Sequence, residues 1–170
     1  MPYVNHAVPL IGQSRQMSCW YAAVCMIGAY FEAGPRQGLK NIWLANQGIA
    51  DNQIQALAEA ENLHWLRAAD HDYSAATLGH DLRKFGPMFS ICHMPQGKHV
   101  LVVTGVNDIG TQPEMLYNDP AGGGREGIMP LETWNKRRHR GYLLVRDRRT
   151  WPRGFFMKMN YVPDAWREAA

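Results

Sequence analysis

Four residues of this chain have the types and spacing that could do chemistry together. Cys19 stands where a helix should begin, and Gln13 lies six residues before it. Further along the chain, His99 heads an apolar strand and Asp119 ends another. A thiol, an imidazole, a carboxylate and an amide donor are the groups that a cysteine hydrolase uses. We therefore take these four residues as the candidate catalytic site, with Gln13 as part of it.

The thiol of Cys19 needs activation, because a free thiol is mostly protonated at neutral pH. The first turn of a helix supplies the positive end of the helix dipole, which favours the thiolate. His99 would take the thiol proton. Asp119 would accept the other ring N–H of His99, fixing its tautomer and stabilising the imidazolium. The twenty residues between them fit neighbouring antiparallel strands joined by a loop.

The amide of Gln13 completes the set as a hydrogen-bond donor. Placed just before the nucleophile's helix, it could donate to a developing oxyanion together with the backbone N–H of Cys19. Losing one such donor typically costs about 3–4 kcal/mol of transition-state stabilisation. Trp20 is expected to pack beside the site and to limit the access of solvent.

Rival residues remain for two of these roles. His93 lies close before His99 and is an alternative base. Asn118 is an alternative to Asp119, and since adjacent strand residues face opposite sides, only one of the two can face His99. Asp108, in a predicted loop, is a weaker alternative.

The cysteines indicate no further chemistry. Three is an odd number, which argues against a disulfide framework. No two lie at the spacing of a zinc site. We expect Cys25, inside a helix, and Cys92, inside a strand, to be buried and structural. No metal or cofactor motif is found, so neither is expected.

The elements that must position the site follow from periodicity and from Gly and Pro breakers. Residues 3–12 are expected to be extended. Helices are predicted over 19–32, 38–46, 51–61 and 74–85, and a helical turn or two over 131–137. Strands are predicted over 63–68, 88–92, 99–106, 115–119, 127–130 and 141–146. Helices first and an antiparallel sheet later predict an α+β fold, with a cleft between a helical half and a sheet half.

Capping residues set the predicted boundaries. Ser18, Asp51 and Ser74 are each expected to cap the helix that follows. The first helix should stop at Gly34-Pro35 and the fourth at Gly86-Pro87. A turn is expected over 93–98 and a flexible loop over 121–124.

The chain has the size and composition of one globular domain. Its 170 residues can bury a sizeable core, and its 46% hydrophobic and 19% charged content is typical of a soluble fold. We expect a single domain over 1–170, with its core over about 3–146 and a C-terminal tail over about 150–170. No apolar run approaches the roughly 18–20 residues that span a bilayer, so no membrane association is expected.

Basic residues cluster near the C-terminus although the net charge is only +3. The two runs are 136–140 (Lys-Arg-Arg-His-Arg) and 146–149 (Arg-Asp-Arg-Arg). A solvated surface is one interpretation. A patch for an acidic partner or nucleic acid is another, which would make the protein a non-catalytic binding module. The complete set of four candidate catalytic residues argues against nucleic acid as the partner.

The combination of Gln-x5-Cys-Trp, His-Val at the head of an apolar strand and Asn-Asp-Pro resembles the papain-like cysteine peptidases. Two bacterial branches are most similar. One is the leader-trimming peptidase domain of bacteriocin-exporting transporters. The other is a group of secreted effector proteases related to those of plant-pathogenic bacteria, in which Ser-Cys-Trp-Tyr-Ala is familiar. The resemblance covers about residues 3–146. Papain itself has Asn as its third catalytic residue, whereas these branches have Asp before Pro, as here.

The resemblance implies a papain-like fold in which the helix of Cys19 packs on the sheet that carries the other residues. It implies Cys19 as nucleophile, His99 as base and acid, Asp119 as orienting carboxylate and Gln13 as oxyanion donor. The implied activity is a cysteine endopeptidase acting on a protein substrate. An amidase, including a cell-wall amidase, a deamidase or an acyl transferase with the same triad is the alternative.

The biological setting is also an expectation. The N-terminus lacks the basic and apolar regions of a signal peptide, and no transporter domain follows. We therefore expect a bacterial effector or toxin domain, delivered by a signal-independent secretion system into the cytoplasm of a target cell, and otherwise a cytoplasmic protein. A cognate immunity protein is an expected partner.

Overall fold

The fold is an antiparallel sheet with helices on both of its faces. The structure, a computed structural model, describes residues 3–31, 46–66 and 70–146. In chain order, the elements of this part are β1 (Tyr3–Asn5), α1 (Cys19–Tyr30), α2 (Ile54–Glu61), β2 (His64–Trp65), α3 (Ala75–Phe85), β3 (Met88–Met94), β4 (Gly97–Asn107), β5 (Glu114–Asp119), β6 (Arg125–Pro130), α4 (Leu131–Arg137) and β7 (Arg138–Val145). No helix in these three stretches is long and apolar enough to cross a membrane.

The sheet runs in the order β2-β7-β3-β4-β5-β6, and every pairing within it is antiparallel. β1 pairs with the last residues of β4, beyond the point where the pairing of β4 with β3 stops. β4 is therefore the central strand, with β3 and then β1 on one side and β5 on the other. The α+β class that the sequence predicts is confirmed.

Both faces of the central strands are buried, and alternate residues enter two separate cores. On β4, Val100 and Val102 pack with α1 and α2 in one core. Leu101 and Val103 pack with α3 and α4 in the other. This double burial explains why the strand is an almost continuous apolar run rather than an alternating one. It also corrects the expected division into a helical half and a sheet half, because α3 packs on the face opposite α1.

Helix α1 is enclosed on all sides, with every residue from Trp20 to Gly28 buried. Its sequence is apolar on nearly every position, as expected of a helix in a core rather than on a surface. Its first residue, Cys19, is half-buried and lies at the end of the helix nearest the site. The sequence predicts this helix correctly but understates its burial.

Some predicted boundaries are confirmed and others are corrected. Ser74 caps α3 by accepting a hydrogen bond from the N–H of Thr77 at 3.1 Å, and Gly86 ends that helix. Ser18 precedes α1, but its side chain makes no capping bond. Asp51 is not in a capping position either, because it is the first residue of a 3₁₀ turn (Asp51–Gln53) that Ala50 precedes. Both its carboxylate oxygens lie 3.0 Å from the ammonium of Lys98.

The strands are longer than the apolar runs that reveal them. The expected turn over 93–98 shrinks to two residues, since β3 continues to Met94 and β4 begins at Gly97. β6 begins at Arg125 and β7 at Arg138 rather than at the predicted later residues. Polar residues pair through their backbones as well as apolar ones do, so hydrophobicity marks only part of a strand. The predicted helix over 38–46 lies almost wholly outside the described residues. So do the Gly34-Pro35 stop, the end of the 63–68 strand and the 150–170 tail.

A tight turn after β5 docks against the segment that leads into α1. Residues Ala121–Gly123 form a single 3₁₀ turn, which corrects the expected flexible loop. The backbone N–H of Gln13 donates to the carbonyl of Pro120 at 2.8 Å. Gly12 passes so close that a Cβ atom there would lie 2.2 Å from the carbonyl carbon of Gly123. The turn and the pre-helix segment therefore hold each other in place.

We expect Gly12→Ala to destabilise the fold, because the added methyl group overlaps backbone that cannot move as a side chain does. Overpacking of this kind typically costs about 1–3 kcal/mol. Denaturant unfolding would measure the change. Gly110→Ala is the matched control, since the nearest atom to its Cβ would be the carbonyl oxygen of Gln112 at 4.0 Å. Equal stability of the two variants would contradict the close approach.

Candidate active site

The ring of His99 and the carboxylate of Asp119 are in direct contact inside the protein. Nε2 of His99 lies 2.6 Å from Oδ1 of Asp119, and the two residues are only 8% and 2% exposed. β4 and β5 are adjacent antiparallel strands, so the start of one and the end of the other lie side by side. This is the arrangement that the spacing of the two residues predicts.

The carboxylate of Asp119 has donors on both of its oxygens. Oδ1 accepts the N–H of Ala121 at 2.9 Å in addition to His99. Oδ2 accepts two N–H groups from Arg125, Nε at 3.1 Å and an Nη at 2.9 Å. Burial would raise the pKa of Asp119, but these hydrogen bonds outweigh it and lower the pKa to about 2. Asp119 is therefore ionised at neutral pH.

The imidazole of His99 is placed between a carboxylate and a thiol. Burial would lower its pKa, but hydrogen bonds to Asp119 and Cys19, together with their charges, raise the pKa to about 9. Because Nε2 is engaged by Asp119, Nδ1 is the ring nitrogen that is left for the thiol. The ring is thus favoured in its protonated form near neutral pH, beside a sulfur atom that can carry negative charge.

Cys19 is the first residue of α1, and the position adds to this electrostatic setting. The first N–H groups of a helix have no partner within the helix and point toward the positive end of its dipole. No acidic side chain lies in the first turn of α1. Trp20, beside it, is almost fully buried and donates its indole N–H to the carbonyl of Gln47 at 3.1 Å. The indole therefore fixes the start of the helix against the segment around Gln47.

Gln13 lies on the segment before α1, but its amide is engaged locally. Its Nε2 donates to the carbonyl of Arg15 at 2.8 Å and to that of Gln16 at 2.7 Å. An amide nitrogen has two hydrogens, so both are used. Its Oε1 is buried without a hydrogen-bond partner. The role of Gln13 as an oxyanion donor stays a prediction, and in this geometry one of its two hydrogen bonds must be exchanged for it.

The rival residues have other partners. Asn118 donates to the carbonyl of Val8 at 3.1 Å and pairs with Val102 in the β4–β5 register. His93 is exposed, and its Nε2 lies 2.9 Å from Nδ1 of His139. Asp108 follows the far end of β4. Of these candidates, the structure brings only Asp119 to the ring of His99.

The other two cysteines are buried, as expected. Cys25 lies in the core around α1, and Cys92 lies in the core on the other face of the sheet. Burial raises the pKa of the Cys92 thiol to about 11, against partial compensation by Ser90 and Trp134. Neither residue has the surroundings of a nucleophile. Within the described stretches, no three His, Cys, Asp or Glu side chains form a group that could hold a metal ion.

The first basic run is engaged in contacts within the protein. Arg138 is buried against the rings of Tyr73 and Trp134 and donates to the carbonyl of His71. The side chains at 136, 137 and 140 contact Glu132, the sulfur of Met94 and Asp72 respectively. This use of the charges favours structural roles over a nucleic-acid patch. Residues 147–149 of the second run lie outside the described residues.

Arg125 is the residue of this site that the sequence interpretation misses. It lies directly opposite Asp119 in the β5–β6 pairing. The strand predicted from the sequence begins two residues later, at 127, so it does not include the pairing of Asp119 with Arg125. Extending the hairpin to the residue after the glycine run would have placed Arg125 beside the carboxylate.

Comparison with protein families identifies a relationship over most of the chain. The family model described as papain-like cysteine protease AvrRpt2 matches residues 3–138. The matched region includes Gln13, Cys19, His99 and Asp119.

We expect the ring of His99 to titrate near pH 9, and to hold its proton below that value because Asp119 stabilises the charged form. Asp119→Asn removes the negative charge, so the pKa of His99 should fall toward the ordinary value of about 6.5. NMR titration of the ring would measure both. Asp72→Asn, an exposed carboxylate paired with Arg140, is the control and should leave the titration unchanged. An unshifted pKa in Asp119→Asn would contradict the assigned contact.

Proposed function

Because the chain belongs to the papain-like cysteine protease family of AvrRpt2, we propose that it is an endopeptidase in which Cys19, His99 and Asp119 cut a protein substrate. One observation carries the assignment of these residues. A single buried ring contacts the Asp119 carboxylate at 2.6 Å through one nitrogen and lies close enough to the Cys19 thiol for that thiol to help raise the pKa of the ring. Nucleophile, base and orienting group are thus in sequence, as nucleophilic catalysis requires.

In the reactive form of the site, the proton of Cys19 already resides on Nδ1 of His99, so that the sulfur is a thiolate beside an imidazolium. The thiolate attacks the carbonyl carbon of the scissile peptide bond, and the carbonyl oxygen becomes an oxyanion. His99 then gives the proton to the leaving amine nitrogen, the C–N bond breaks, and a thioester on Cys19 remains. A water molecule deprotonated by His99 attacks the thioester, and the acid product leaves as the thiol is restored.

Asp119 acts throughout by holding the ring and its charge. Its contact with Nε2 leaves Nδ1 toward the sulfur, which is the orientation that both proton transfers need. The ionised carboxylate stabilises the imidazolium that exists between the transfers. As pH rises through about 9, His99 loses the proton that the leaving amine requires, so activity should decline there.

The oxyanion needs donors near Cys19. The backbone N–H of Cys19 is one of the helix N-terminal groups without an intrahelical partner. We assign the second donor to the amide of Gln13, which lies on the segment that the turn after Asp119 holds in place. An oxyanion is a stronger acceptor than a main-chain carbonyl. The exchange of one of the bonds of Gln13 is therefore favoured once negative charge has developed.

The proposed setting is that of an effector or toxin domain acting in the cytoplasm of a target cell, with an immunity protein in the producing bacterium. The support is the likeness to secreted effector proteases together with the family match. The substrate is accordingly sought among the proteins of a candidate target cell, and such a lysate is used in the test below.

Incubation of the protein with a target-cell lysate should generate defined new protein N-termini, detected by terminal labelling and mass spectrometry. Cys19→Ala should generate none, because the sulfur that attacks the carbonyl is gone. Cys25→Ala, which removes another thiol of the same helix, is the matched control and should cut the same sites. New termini in Cys19→Ala would disprove the assignment, and ammonia release without cleavage would select an amidase or deamidase instead.

Gln13→Ala should lower kcat about 10²–10³-fold with little change in KM, since an oxyanion donor acts mainly in the transition state. Peptide-cleavage kinetics on a substrate identified as above would measure it. Gln16→Ala is the control, an exposed glutamine on the same segment. Thermal unfolding of both variants would show that the segment still folds. A kcat equal to that of the wild type would remove Gln13 from the oxyanion site.

A further inference from the structure

The guanidinium of Arg125 donates two hydrogen bonds to one oxygen of the Asp119 carboxylate. Its Nε and one Nη lie 3.1 and 2.9 Å from the same oxygen, Oδ2. The carboxylate is 2% exposed, whereas the arginine side chain is 68% exposed. Arg125 therefore reaches in from the surface and closes the outer side of a buried charge.

The two oxygens of Asp119 have separate tasks. Oδ1 accepts from His99 and from the N–H of Ala121, and Oδ2 accepts from Arg125 alone among the described residues. Rotation of the carboxylate about its Cβ–Cγ bond would move both oxygens at once. Such a rotation would break the bonds of Oδ2 to Arg125 as well as the bond of Oδ1 to the ring, so the bonds to Arg125 resist the misalignment of Oδ1.

The local fold gives Arg125 this position. Asp119 and Arg125 are direct partners in the β5–β6 register, across a turn that holds three successive glycines with positive φ, at 63°, 89° and 95°. These φ values are strained for residues with a Cβ, so the glycines allow the chain to reverse within five residues. The ring of Tyr117 covers Gly127, and its hydroxyl lies within 2.6 Å of where a Cβ there would be. Arg125 is thus the first residue of β6, and the glycine turn before it and the close packing of Gly127 on Tyr117 after it fix its register opposite Asp119.

We propose that Arg125 is a positioning residue, which acts through Asp119 to hold the ring of His99 in its productive orientation. The proposal rests on the proposed function, since it assumes that the contact between Asp119 and His99 serves catalysis. Arg125 touches neither the ring nor the thiol in the described contacts, so it is not itself a catalytic residue.

Charge and orientation make opposite predictions for the loss of Arg125. If its positive charge were the whole effect, removing it would strengthen the pull of Asp119 on the imidazolium, and the pKa of His99 would rise. If Arg125 positions the carboxylate, removing it weakens the hydrogen bond to Nε2, and the pKa of His99 falls. The direction of the shift separates the two roles.

Arg125→Ala is expected to lower kcat about 100-fold, the scale of a misplacement near 1 Å, with KM little changed. NMR titration of the His99 ring in the same variant should show a lower pKa than in the wild type. Arg125→Lys keeps the charge but loses the two-point fork, so it should stay closer to the alanine variant than to the wild type. Arg140→Ala is the matched control, because it removes an exposed arginine of β7 that is paired with Asp72.

Several results would overturn the positioning role. They are a raised or unchanged pKa of His99 in Arg125→Ala, full recovery of kcat by Arg125→Lys, or a rise in KM at unchanged kcat. The last would place Arg125 in substrate binding. The titration of His99 needs no substrate, so it tests the positioning role even if the proposed endopeptidase activity fails. Loss of that activity in Cys19→Ala tests the proposed function separately.

Discussion

The buried negative charge of Asp119 is the constraint on which the rest of the site depends. An unpaired carboxylate in a protein interior costs several kcal/mol, and the cost is avoided only where donors surround it. Here the donors come from three places in the chain: the head of β4, the turn after β5 and the first residue of β6. The low pKa of Asp119, about 2, results from these bonds against the opposing effect of burial. The contacts that join this part of the sheet are therefore the same contacts that assemble the site.

The same turn connects the carboxylate to the segment that leads into Cys19. Its Pro120 carbonyl holds the N–H of Gln13, and its Gly123 packs on Gly12 with no room for a side chain. Six residues later in the chain, Cys19 begins α1. The start of α1 is thus held from two directions, by the packing of α1 on β4 and by the turn that contacts the segment before α1. A papain-like site of this kind needs no cross-link between its parts, because the backbone contacts supply the alignment.

Local sequence signals foretell most of the elements and the contact between His99 and Asp119, and they fail where distant contacts decide. Ser74 caps its helix because the bond to Thr77 is three residues away and nothing competes. Asp51 is also a capping residue type at the start of a predicted helix, yet it binds Lys98, which is 47 positions away in the sequence and which the fold brings near. Arg125 shows the same limit of local sequence signals. Its contact with Asp119 depends on the cross-strand pairing of β5 and β6 and not on the residues next to it in the sequence. The sequence of the basic run at 136–140 suggests a surface patch, but Arg138 is buried against the rings of Tyr73 and Trp134. No local sequence pattern predicts that contact with Tyr73.

The choice of Asp rather than Asn as third residue has a physical consequence in this setting. An amide could accept the N–H of His99, but it would carry no charge to stabilise the imidazolium and would offer Arg125 only a neutral oxygen. A carboxylate accepts from both sides at once, so the ring and the guanidinium bind it without competing for the same oxygen. The imidazolium that Asp119 favours, the carboxylate and the guanidinium then form a row of alternating charges: His99, Asp119, Arg125. Each charge in this row faces an opposite neighbour, and the outermost one faces solvent, where its desolvation cost is smallest.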